Sequence, residues 1–173
     1  MRISDRLLFF RYALPCAGTL VKRGTISQRQ LDEMITQVAS GSEPEPGAET
    51  VFKVAIAMLD HYAGAMGKEA VDAEVIRRYF LLEHSEVVDE RARLMGDFSP
   101  ASCKTYPGRV VSTDGDRAIV ETRLGRHEYR TDFANGVEKG DTVVVHWDFV
   151  VERIPQSTAN DMESARRRHE KGD

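Results

Sequence analysis

Two side chains have the right types for thiol or metal chemistry: Cys103, in SCKTYPGRVV, and His146, in DTVVVHWDF. Thiolate and imidazole both ligate borderline and soft metals. A Cys-His pair also serves covalent catalysis when a third group orients the base. The sequence marks neither such a group nor an oxyanion site, so an enzyme is not expected. Two ligands do not close a metal site, so an ion here is shared with a partner or carries exogenous ligands. Lys104 adjoins the cysteine, and a neighbouring ammonium lowers a thiol pKa. Ser102, Lys104 and Thr105 are polar, which predicts an accessible thiol. Against this, unbridged cysteines are among the most buried residue types. A histidine in an apolar strand also reads as a buried ring bonded to a carbonyl. The residues alone leave core filler, reactive thiol and metal ligand open.

Other candidates are weaker. Cys16, in RYALPCAG, reads as a core cysteine, with a second metal-binding or redox thiol as the alternative. His61 and His84 fall in helical segments and read as surface or interface residues. The sequence has no phosphate loop, dinucleotide fingerprint or HExxH pattern.

The bulk composition narrows the class. With 173 residues the chain holds one ordinary domain or two small ones. Hydrophobic residues at 41% and charged residues at 30% describe a soluble globular chain. A net charge of -4 argues against a general nucleic-acid binder, whose affinity comes from neutralising phosphates. No apolar run is long enough to cross a bilayer. Asp5, Arg6 and Arg11 interrupt the first apolar stretch, so no signal peptide is expected. Two cysteines imply no disulfide scaffold, and a cytoplasmic location with reduced thiols is expected.

The elements that must position these groups fall into two regions. Residues 1–97 read as a helical domain. DRLLFFRYAL is a short helix capped by Ser4 or Asp5 and stopped at Pro15. In TISQRQLDEMITQVASG, Ser27 and Gln30 form a capping box, and Leu31, Met34, Ile35 and Val38 share one face. Gly41 ends that helix, and Pro44 and Pro46 keep the next stretch irregular. TVFKVAIAMLDHYAGAMG reads as a deeply buried helix. A third long helix follows, with Val75, Ile76, Phe80 and Val87 on its apolar face. Helices of this length form a small bundle around one core.

After GDFSPAS the apolar period drops to two. Asp114-Gly115, Leu124-Gly125 and Lys139-Gly140-Asp141 read as turns between short strands. Four or five strands in residues 102–173 suffice for a small closed barrel, which removes exposed edges. The tail from Pro155 reads as a loosely attached solvated segment with a short helix starting near Ser157 or Asp161. The fold class is therefore α+β: a helical bundle, then a small β-barrel with a short C-terminal helix.

The second region resembles the HypC/HupF family of [NiFe]-hydrogenase maturation chaperones over about residues 102–168. Cys103 matches the family cysteine, and Pro107 and Gly108 its Pro-Gly pair. Gly140 and Asp141 match its Gly-Asp, His146 its strand histidine and Phe149 the aromatic that follows. The resemblance implies an OB-like barrel. It also implies two partners, a HypD-like scaffold and a hydrogenase large-subunit precursor or related client. Iron, held transiently and shared with a partner, would be bound through Cys103 and, more weakly, His146. The chain departs from the family in two ways. Its cysteine is internal, so no terminal amine can complete a chelate, and Lys104, Thr105 and Tyr106 replace an apolar set.

Three function classes follow. The first is a maturation chaperone or adaptor. The second is a small-barrel nucleic-acid binder using Arg109, Arg117, Arg123, Arg126, Tyr129 and Arg130, although acidic residues interleave with these. The third is an interaction domain without chemistry.

Overall fold

A computed structural model describes residues 2–95 and 100–171. The chain divides into two compact units, Met1–Tyr79 and Phe80–Asp173. The expected domain boundary after residue 97 falls in 96–99, outside the described residues.

In the first unit, β1 (Arg2–Ile3) pairs in parallel with β2 (Ala70–Val71). The helices are α1 (Arg6–Ala13), α2 (Gly18–Lys22), α3 (Gln28–Ala39), α4 (Lys53–Ala65) and α5 (Ala73–Arg77). Asp5, not Ser4, caps α1: its carboxylate accepts from the Leu8 N–H at 3.0 Å. The α3 capping box forms as expected, with Gln30 N–H donating to Ser27 Oγ and Ser27 N–H donating to Gln30 Oε1. The core gathers around Phe9, Phe10 and Phe52, whose rings meet edge to face. Arg6 holds the Pro44–Pro46 loop by bonding Glu43, Glu49 and the carbonyls of Pro44 and Glu45. One expectation is corrected here. Within α4 only Leu59 and Ala63 are fully buried, and Val54 is 37% exposed. An apolar composition on all sides of a helix does not bury all sides when one face is covered.

The third predicted long helix is interrupted by a π-helical stretch, Arg78–Glu83, before α6 (His84–Met95). A π turn inserts residues into the helical register. Val88 is accordingly the buried valine, where the unbroken period pointed to Val87.

Among the described residues the second unit contains α6, α7 (Pro100–Cys103), five strands and α8 (Gln156–Lys171). The strands are β3 (Thr105–Asp114), β4 (Arg117–Thr122), β5 (Gly125–Arg130), β6 (Thr142–His146) and β7 (Phe149–Arg153). They close in the order β3-β4-β5-β7-β6, an OB-like topology. All pairs are antiparallel except β5 with β7, which meet only at Arg130 and Phe149. Strand alternation points Tyr106, Val110, Val120, Val143 and Val145 into the barrel core.

The tail expectation is also corrected. Residues 156–171 form a long helix that buries Ala159, Met162 and Arg166. Arg166 Nη2 donates to the Thr105 carbonyl at 2.7 Å, and its guanidinium lies 4.4 Å from the Tyr106 ring centre. A basic cluster read as solvated thus contains the residue that fastens α8 to β3.

Candidate functional site

Cys103 is the last residue of α7, and His146 the last of β6. The ladder between β3 and β6 places Thr105 opposite His146, so the cysteine comes to the end of the histidine's strand. His146 is fully buried and its Nε2 lies 3.0 Å from the Cys103 carbonyl oxygen. A carbonyl only accepts, so Nε2 carries the proton and the lone pair sits on Nδ1.

The accessible thiol expected at Cys103 is corrected. The residue is 6% exposed. Its polar neighbours found partners instead of solvent. Thr105 is fully buried and its hydroxyl donates to the Phe80 carbonyl at 2.7 Å. Lys104 pairs with Asp89 at 2.7 Å, so its charge is largely committed to a carboxylate rather than to the thiol. Asp89 also bonds His169 Nε2 at 3.0 Å. Burial pushes the Asp89 carboxyl up, but the bonds from Lys104 and His169 outweigh it and hold it below the usual range.

His84, read from sequence as a surface or interface residue, is buried at the start of α6. Its ring stands nearly perpendicular to that of His146, with centres 5.5 Å apart, and ring nitrogens of the two lie within 4.8 Å. Burial pushes His84 down to about 3, the neighbouring His146 adds to this, and a bond to the Cys103 backbone opposes it. Both effects keep His84 neutral at ordinary pH, the form in which imidazole ligates metals. Two neutral imidazoles at this spacing fit a borderline divalent ion, with the remaining positions filled by other donors. Its sequence signal was its position four residues after Phe80 on the apolar face, a spacing that keeps two side chains on one side of a helix, and the two rings meet with centres 5.3 Å apart.

The remaining motif residues build the barrel. A Cβ on Gly108 would meet Val120 Cγ1 at 2.6 Å and the Glu121 carbonyl oxygen at 2.9 Å, so β4 can cross only a glycine here. Pro107, which lacks a donor, lies beside it opposite Val144. Gly140 takes φ +96°, a left-handed position that suits glycine, and its N–H donates to the Val110 carbonyl. The Asp141 carboxylate accepts from the Glu138 N–H at 2.9 Å and closes the same turn. Phe149 stacks on Phe133 at 4.6 Å, with Arg130 over its ring at 4.8 Å.

The residues named for nucleic-acid contact are differently engaged. Arg117 pairs with Glu128, Arg123 with Glu170, Arg126 with Glu121 and Arg130 with Asp132. Tyr129 is 7% exposed, which leaves its ring little face for a base. In the first unit Cys16 ends a 3-10 turn, Leu14–Cys16, and is half-buried. Among the described residues, no helix is long and apolar enough to cross a membrane.

Residues 103–165 match the HupF/HypC family. No curated protein matches the chain.

Proposed function

We propose that this protein is a chaperone or adaptor of the hydrogenase-maturation type, with the barrel as its docking module. The observation that carries this is positional. Cys103 and His146, separated by 42 intervening residues in the sequence, both lie in the stretch that matches the family, correspond by resemblance to its cysteine and strand histidine, and meet at one end of the barrel through a 3.0 Å bond. Its partners are a metalloenzyme precursor, of the hydrogenase large-subunit class, and a HypD-like scaffold. The cargo is iron. His146 and His84 supply imidazoles to it, and Cys103, whose carbonyl bonds His146, supplies the thiolate. Burial of the thiol in the resting chain protects it from oxidation, which follows thiolate character and exposure.

Anaerobic co-expression with a hydrogenase large-subunit precursor and a HypD-like scaffold tests the reading. Tagged protein is expected to retain at least one of them, with iron in the complex. His146→Ala is expected to lower the iron content while leaving the barrel folded by circular dichroism. Retention of neither partner, with the wild-type chain folded, would refute the proposal.

A further inference from the structure

At the same end of the barrel a cleft of about 140 Å³ lies between two hairpin tips. Leu124 projects from the β4–β5 tip and Trp147 from the β6–β7 tip. Tyr106 and Tyr129 form walls, with Lys104 and Asp148 at polar positions. We propose that this cleft is a recognition pocket for one aromatic side chain in an extended segment of a partner polypeptide, with a basic neighbour of that side chain held by Asp148.

Four observations support this occupant. Leu124 is 49% exposed, one of two large apolar side chains exposed among the described residues. Its burial under a ligand is therefore favourable. The volume suits a single ring, since cavities near ~150 Å³ accept benzene, and the aromatic walls favour edge and offset packing. Trp147 combines two unfavourable features. Its φ is +51°, at a hairpin position where glycine is usual, and its indole nitrogen is buried without a hydrogen-bond partner. A small turn of the ring toward an incoming peptide carbonyl gives that N–H an acceptor. Asp148 is exposed, and the side chain of Arg130 pairs with Asp132 at 2.8 Å. Lys104 is likewise committed to Asp89. The available rim charge is thus negative and complements a cation.

Trp147 is the chain's one tryptophan, so its indole resonance and fluorescence report on the cleft alone. The full chain is titrated with N-acetyl-phenylalanine methylamide, N-acetyl-lysyl-phenylalanine methylamide and N-acetyl-alanine methylamide. The phenylalanine probes are expected to shift the indole N–H cross-peak saturably, and the alanine probe is not. The lysyl probe is expected to bind about two- to fivefold more tightly, as an exposed ion pair provides. Asp148→Asn removes that gain and leaves the simpler probe unaffected. Leu124→Ser, at an exposed position that does not threaten folding, weakens both probes at least fivefold. An indole peak that stays still to solubility, moves equally with alanine, or responds unchanged in Leu124→Ser overturns the proposal. No hydrogenase component is present, so the outcome is independent of the maturation reading.

Discussion

His146 Nε2 donates to the carbonyl oxygen of Cys103 at 3.0 Å. The histidine therefore recognises the cysteine's backbone and leaves its sulfur out of the bond. This orients the His146 ring, fixes its tautomer and pins the end of α7 to the end of β6. It also separates two questions that sequence motifs merge: whether the pair is adjacent, and whether its thiol is reactive.

Cys103 should label slowly with a thiol reagent in the native chain and quickly after denaturation. Cys103→Ala should cost about 1–2 kcal/mol through the small cavity left in a buried site. Chemical denaturation measures this. Native labelling as fast as that of the unfolded chain would mean that the thiol is exposed after all.

His146→Ala should be more costly, about 1–3 kcal/mol, because it removes a donor from a buried carbonyl and opens space beside His84. Gln at the same position, which retains an N–H donor, should recover part of the loss. Equal stabilities of the Ala and Gln variants would show that the bond contributes nothing.

In the metal-free chain stability should fall with acid. His84 is held at about 3 against an ordinary 6.5. Between those values the unfolded chain takes up a proton that the folded chain refuses. The contribution is complete above the ordinary value and is lost as pH falls toward the folded one, by no more than ~1.4 kcal/mol per pH unit from this group. Denaturation midpoints measured with a chelator present, for wild type and His84→Gln, should diverge across that window. Parallel curves would exclude His84 as the source.

Gly108→Ala should destabilise the barrel by about 1–3 kcal/mol, since the new methyl overlaps Val120 and the Glu121 carbonyl. Thermal melting checks this, and an unchanged midpoint would mean that β4 yields easily.

Arg166→Met keeps the length of the side chain and loses its bond to the Thr105 carbonyl and its position over Tyr106. Amides of α8 should then exchange with solvent at least tenfold faster, a ratio equivalent to ~1.4 kcal/mol. Unaltered protection would show that Ala159 and Met162 suffice to hold the helix.

Local signals in the sequence determined much of the architecture. The change of apolar period from 3.6 to 2 separated helices from strands, and Gly115, Gly125 and Gly140 marked turns because each takes a positive φ. Ser27 and Gln30 specified a helix start through bonds only three residues apart. The order of Cys103, Pro107-Gly108, Gly140-Asp141 and His146 pointed to the family that residues 103–165 match. Accessibility was decided elsewhere, because burial depends on segments distant in the chain. Thr105 and Lys104 looked solvated until Phe80 and Asp89 supplied partners, and Arg166 looked like a surface charge until the Thr105 carbonyl accepted its bond. His84 meets His146 across segments far apart in the chain, a pairing that the period of one helix does not specify. Sequence spacing states which side chains a local element presents; only the folded chain determines which remote groups satisfy them.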